Sequence, residues 1–388
     1  MNIVYHHRTQ GKGVEGIHIR SIVNALRQKG HDVSIVSPPG CDPYRILKPA
    51  SSSKKHGPLS VISRHFPEIL FEVFEILYNF FALVSIHRSA AKVSPDLIYE
   101  RYFLLSVASL WYAKHLRIPI IYEVNDSSFV PRLRPLVLRG LAHFIERYTL
   151  SRATHVFVVS QNFKKRLVDA GIPPEKISVS HNAIDPKLFN PDSTVDLDIG
   201  IPRGRVVIGF VGLFVKWVGL DTLINIIADL KEKRPEIHLL LVGNGPEEAH
   251  VRERILACGI QEQVTITGRV PHELVPAYIK MMDICVIPNH ETYTSPVKLF
   301  EYMAMGKAVL VPDFESMREI VKNGETGILF DLQNDGIKRA MDELVKNAKW
   351  RNQLGYNARQ HILGNYTWDK NALKITTKVH KVINFYMQ

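Results

Sequence analysis

Cysteine is scarce in this sequence: 3 residues in 388, at Cys41, Cys258 and Cys285, far apart and never in a CxxC pair. That excludes a zinc ribbon and a disulfide framework, and it points to a reducing cytoplasm as the natural home. Low-complexity tracts and short internal repeats are missing, which removes the fibrous, solenoid and disordered classes. The opening MNIVYHH has no basic stretch followed by a long apolar run, so it reads as a first buried strand and not as a signal peptide. Negative charge is short in one half only. Residues 1–190 hold 25 Lys and Arg against 14 Asp and Glu, whereas residues 191–388 hold 24 of each, so the whole net charge of +11 sits in the first half. A one-sided basic field suits an anionic partner, such as membrane headgroups or a lipid-linked phosphate, or it is simply a solvated surface. No nucleic-acid-binding motif accompanies it, so no nucleic-acid partner is expected.

A chain of this length, 46% hydrophobic, is too long for one ordinary core and suits two. Both halves alternate short β-branched runs with helical patterns, as parallel sheets require. Strands are predicted at 2–6, 33–36, 97–99, 119–123 and 155–159, then at 206–211, 238–242, 264–266, 284–287 and 308–311. Helices fill the gaps, among them 17–29, 219–232 and 297–305. The expected fold class is α/β: two Rossmann-like, doubly wound domains, 1–190 and 204–365, joined near 190–204 and facing across a cleft. The amphipathic tail 366–388 would pack back on the first domain. Ligands of such sheets bind at the carboxyl ends of the strands.

Residues 66–86, FPEILFEVFEILYNFFALVSI, carry Glu68, Glu72 and Glu75 as one helical stripe on an otherwise apolar circumference, flanked by Lys54, Lys55, Arg64 and Arg88. Two readings fit: a helix lying on a membrane or against a lipid acceptor, and an ordinary buried helix of the first domain. Gly11, Gly13 and Gly16 spell GxGxxG after the first strand. A dinucleotide fold would need an acidic residue closing the second strand, which instead ends in Ser37 and Pro38. Hydride transfer is therefore not expected. The loop can still bring backbone amides close to a sugar or phosphate, with Gly13 as its candidate contact, or serve as a flexible turn.

The second half has two helix starts suited to a diphosphate. The loop after strand 206–211 holds Gly212, Lys216 and Gly219 and opens a helix. Ser295, Pro296, Val297 and Lys298 read as a capping Ser, then Pro at the first helical position, then a lysine in the first turn. A cation there opposes the helix dipole unless an anion is present.

The stretches GIHIRSIVNALRQKGHDVSIVSP, VVSQNFKKRLVDAGIPPEKISVSHNAIDPKLFNP, IGFVGLFVKWVGLDTLI, LLLVGNGPEE, VTITGRVPHELVPAYIKMMDICVIP, SPVKLFEYMAMGKAV and YTWDKNA follow one another across nearly the whole chain. In order and spacing they resemble the retaining GT-B glycosyltransferases of family 4. The resemblance implies that Glu301 accepts hydrogen bonds from the donor ribose and that Gly268, Arg269 and Val270 meet the nucleobase. Gly243 and Gly245 would shape the floor. The family's first motif glutamate has no counterpart: Tyr293 stands eight positions before Glu301, with Glu291 two residues off register. The family's loop Arg and Lys are replaced by Leu213 and Val218, with Lys216 nearby. Where the family often places His in the first domain, this chain has Asn125 and Asp126, which would contact the transferred sugar or the acceptor or else cap a turn. The reaction implied is sugar transfer from a UDP- or GDP-type donor to a glycan or lipid-linked acceptor. Lys216 and Lys298 would stabilise the leaving phosphate, and Asp126 would serve as base if the reaction inverts. No metal or other cofactor is expected, because the one DxD, Asp196–Leu197–Asp198, falls in the linker. The rival readings are a sugar-nucleotide epimerase of the same fold and an inactive nucleotide-sugar-binding relative. Peripheral contact with the cytoplasmic face of an anionic membrane would follow from the basic first domain.

Overall fold

The computed structural model describes residues 1–45, 68–132, 135–293, 295–333 and 335–386. Lys54, Lys55, Arg64, Phe66 and Pro67, which entered the reading of the first long helix, lie outside them. The chain divides into two compact units: Met1–His181 with Trp368–Gln388, and Asn182–Thr367. The division falls ahead of the 190–204 stretch, so Asn182–Asn190 belongs to the second unit.

In unit 1 the order is β1 (Asn2–His6), α1 (Gly13–Gln28), β2 (Asp32–Val36), α2 (Glu68–Val93), β3 (Leu97–Arg101), α3 (Ala108–Leu116), β4 (Ile120–Val124), α4 (Arg139–Arg152), β5 (His155–Val158), α5 (Gln161–Asp169) and β6 (Ile177–Val179). The strands form one parallel sheet in the order β2-β1-β3-β4-β5-β6. Strands such as LIYER and IIYEV read as apolar runs because helices cover a parallel sheet on both faces. In unit 2 the order is β7 (Val206–Val211), α6 (Leu220–Leu230), β8 (Ile237–Val242), α7 (Glu248–Ala257), β9 (Val264–Gly268), α8 (Val275–Lys280), β10 (Ile284–Val286), α9 (Val297–Ala304), β11 (Ala308–Pro312), α10 (Glu315–Arg318), β12 (Ile328–Phe330), α11 (Gly336–Lys346) and α12 (Ala348–Asn365). Its sheet, also parallel, runs β12-β11-β10-β7-β8-β9. Each sheet has one switch point, where the chain leaves to opposite sides: between β1 and β3, and between β7 and β10. The last helix, α13 (Trp368–Tyr386), packs on α1 of unit 1, with the Trp368 ring edge-on to His18 at 4.6 Å and Asn371 donating to the His181 carbonyl at 2.9 Å.

All ten predicted strands are present within a residue or two. Two more, β6 and β12, escaped the sequence reading because each is a three-residue strand at a sheet edge, too short to show alternation. Helix α1 starts at Gly13, four residues earlier than predicted, and the glycine loop is a tight entry to it. Gly11 and Gly13 adopt φ of +67° and +59°, and a Cβ on Gly16 would collide with the Gly11 carbonyl. Gly16 is therefore required for closure of the loop on its helix.

A methyl group at Gly16 has nowhere to go, so Gly16→Ala should cost about 1–3 kcal/mol in chemical denaturation. At exposed Gly140 in α4 a Cβ meets nothing within 4 Å, and Gly140→Ala should leave stability unchanged or raise it by up to about 1 kcal/mol.

Candidate active site

At the β7/β10 switch of unit 2, two loops and one helix start converge. β7 ends at Val211 and passes through Gly212, whose φ of +150° only glycine adopts easily. The loops after β7 and β8 touch backbone to backbone. Gly212 donates to the Val242 carbonyl, Phe214 to that of Asn244, both at 2.9 Å, and a Cβ on Gly243 or Gly245 would strike the Gly212 or Phe214 carbonyl. Both glycines thus permit this contact. α9 is tied to the same strand end by the Tyr302 hydroxyl, which accepts from the Val211 N–H at 2.7 Å. One turn earlier on α9, Lys298 arches over β7 with its ammonium 4.2 Å from the centre of the Phe210 ring. A Cβ on Gly212 would collide with that ammonium, so the glycine makes room for it. No hydrogen-bonding or ion-pairing partner reaches Lys298 Nζ among the described residues. Burial pulls its pKa down to about 8, partly opposed by Glu301.

Glu301 is buried on the adjacent turn, and its Oε1 lies 3.0 Å from His272 Nε2. His272 sits in a single turn after β9 and packs edge-on to Phe189 at 5.5 Å. His290, in the loop after β10, packs edge-on to Trp217 at 5.6 Å. Burial first, then the nearby Lys298 charge, lowers its pKa to about 4, so its ring is neutral. The sequence reading gave neither histidine a role: His272 lies inside the quoted stretch VTITGRVPHELVPAYIKMMDICVIP without being singled out, and His290 follows it.

The structure corrects the reading of the α9 entry. The N-cap is Pro296, and Val297 is the first helical residue. Ser295 is one position too early to cap: its carbonyl accepts from Asn182, while its buried hydroxyl has no partner among the described residues. Lys216 is exposed in a single turn, Lys216–Val218, and Gly219, at φ +78°, starts α6. Arg269 is exposed, Val270 packs on the core, and Glu291 and Tyr293 are half-buried in the loop after β10. Asp196 pairs with Lys280 at 2.9 Å, and Asp198 accepts from the Gly200 N–H at 3.0 Å, so both act within the linker. Among the described residues no group of three or more His, Cys, Asp or Glu could hold a metal ion.

In unit 1, Asn125 lies half-buried in the loop after β4. It donates to Glu123 Oε1 at 2.6 Å, beside Arg101 on the same oxygen at 2.9 Å and Tyr99 on the other at 2.9 Å. Asp126 pairs with Arg132 at 2.9 Å, and burial raises its pKa despite that partner. At the β1/β3 switch, His6 Nδ1 lies 2.6 Å from Glu100 Oε2, an oxygen also bonded by Ser109, while Ser106 donates to Oε1 at 2.9 Å. All four side chains are buried, which makes this a satisfied polar core.

Comparison with known proteins follows this geometry. Residues 15–188 match the family model described as Glycosyltransferase Family 4, and residues 196–361 match Glycosyl transferases group 1. The GDP-mannose-dependent alpha-mannosyltransferase of Mycolicibacterium smegmatis is 25% identical over 357 residues, covering 89% of this chain and 88% of that protein. Among solved structures, sucrose-phosphate synthase from Thermosynechococcus elongatus superposes with a TM-score of 0.75 at 19% identity, over 99% of this chain and 100% of that one. Anabaena HepE in complex with UDP gives 0.70 at 16% identity, over 98% and 100%. The two parallel sheets are those of the GT-B fold, and the chain belongs to glycosyltransferase family 4, of the group 1 type.

Proposed function

We propose that the chain moves a sugar from a UDP- or GDP-sugar to a glycan or lipid-linked acceptor, with retention of anomeric configuration, at the cytoplasmic face of a membrane. The observation that carries this reading is Lys298: a desolvated ammonium at the positive end of α9 with no anionic partner. A bound diphosphate would complete it. The buried Ser295 hydroxyl, without a partner among the described residues, points to the same ligand. Glu301, held by His272 through one oxygen, would offer the other to the ribose diol. One similar protein is GDP-mannose-dependent and another was solved in complex with UDP, which supports a nucleoside diphosphate without choosing the base.

As the glycosidic bond to the diphosphate breaks, positive charge develops on the sugar ring and negative charge on the departing phosphate. Lys298, Lys216 and the helix start would stabilise the phosphate, whose oxygen can then take the acceptor proton. No metal takes part in this scheme, so EDTA should leave the rate unchanged. A thermal-shift screen of UDP-, GDP- and ADP-sugars, followed by NMR of the anomeric configuration of the product, tests the whole reading. An inverted product would shift the role of base to Asp126, and epimerised sugar formed without acceptor would overturn transfer.

Lys298→Ala should weaken nucleoside diphosphate binding by about 10- to 100-fold in calorimetry, the worth of a charge-assisted contact. Glu301→Ala should weaken it by about 10-fold. Unchanged binding in both would place the nucleotide elsewhere. His272→Ala should cost about 3- to 10-fold for the nucleoside diphosphate and nothing for pyrophosphate, because it acts through Glu301 on the ribose. The pH dependence follows from burial. With the free-site pKa near 8, Lys298 loses its proton as pH rises through that value. A bound anion raises the pKa, so affinity should fall by about ten-fold per unit above pH 8. Calorimetry in buffers of different ionisation enthalpy should show proton uptake on binding near pH 8, and none for Lys298→Ala.

A further inference from the structure

Helix α2 turns its polar side inward and its apolar side outward. Glu72 is buried and accepts from the N–H groups of Val137 at 2.6 Å and Leu138 at 2.7 Å, at the entry to α4. Glu75 accepts from Arg8 at 2.6 Å, just past the carboxyl end of β1. Ala82, Ile86 and Ala90 complete the inner face. Outside, Phe74, Leu77 and Phe80 recur at helical spacing and are 59%, 60% and 76% exposed. On α4, Leu141 and Phe144 repeat the pattern, Phe144 at 68% exposed. Glu72 ties α2 to the backbone just ahead of α4. Exposed apolar surface of this kind marks an interaction site.

The exposed charge on α2, α3 and α4 has one sign. Arg88, Lys92, Lys114, Arg139 and Arg147 are exposed on α2, α3 and α4, and no carboxylate of these helices is. Unit 1 as a whole holds 28 Lys and Arg against 14 Asp and Glu, whereas unit 2 holds 21 against 24. By length and composition α2 could cross a membrane. Crossing would strip Glu72 and Glu75 of their partners and pull the inner face off the sheet, at a cost that lying flat avoids.

We propose that the outer face of α2 and the first turns of α4 seat in the interfacial layer of an anionic lipid bilayer. The aromatic and leucine side chains enter the acyl boundary, and the flanking Arg and Lys side chains meet lipid phosphates. The surface borders the carboxyl ends of the unit 1 strands through the Glu75–Arg8 pair, so a lipid-linked acceptor would be met beside its membrane. This deepens the acceptor part of the proposed function but rests on its own observations.

Flotation of the full chain with vesicles tests it. The protein should float with phosphatidylglycerol-containing vesicles and far less with phosphatidylcholine alone. The triple variant Phe74→Ser, Leu77→Ser, Phe80→Ser should bind by about ten-fold less or weaker still, and the pair Leu141→Ser, Phe144→Ser should also lose binding. Both variants should keep wild-type thermal stabilisation by nucleoside diphosphates, which reports the fold and isolates membrane docking from the donor site. Should the triple variant misfold, the α4 pair decides. Wild-type protein that stays at the bottom of the gradient with anionic vesicles overturns the proposal, as do variants that float like wild type. A wild-type dimer that the triple variant converts to a monomer by light scattering, without vesicle binding in either, would assign the face to a second copy instead.

Discussion

The organising constraint of unit 2 is an ammonium placed where electrostatics disfavour it. Lys298 stands in the first turn of α9, against the positive end of the helix dipole, over an aromatic ring and out of reach of any carboxylate hydrogen bond. Much of the local architecture serves that placement. Tyr302 fixes α9 to the end of β7, Gly212 leaves the space the ammonium occupies, and Gly243 permits the close approach of the two loops. An anion relieves the imbalance, which is why a diphosphate is the ligand class with the most to gain here.

A second charge device lies one turn along. Glu301 is buried and oriented by His272, an arrangement that fixes a carboxylate for use without leaving it to seek its own partner. Lys298 and Glu301 share a helix face three residues apart, so in the proposed reading one short helix would present a cation and an anion to two different parts of one nucleotide. In unit 1 the polar groups behave otherwise. His6, Glu100, Ser106 and Ser109 satisfy one another in the core, and Asn125 donates to Glu123. The surface of that unit differs, with an exposed apolar stripe on α2 and exposed basic side chains on the same helix.

The sequence by itself determined the class of fold. Apolar strand runs, the order of elements and the glycine positions sufficed, because backbone hydrogen bonding and burial on both faces dictate what a parallel strand must look like. It also located the helix start at 295–298 and the lysine and glutamate one turn apart, since helical spacing is local. Tertiary structure decided what depends on partners distant in sequence. Ser295 as a cap failed because the chain enters α9 through Pro296 and leaves the serine buried. His272 became visible only as the partner of Glu301, 29 residues away. The stripe of Glu68, Glu72 and Glu75 was legible, but its direction was not. An amphipathic pattern states which residues share a face, and only the packing of α4 and Arg8 against Glu72 and Glu75 decides which face looks inward.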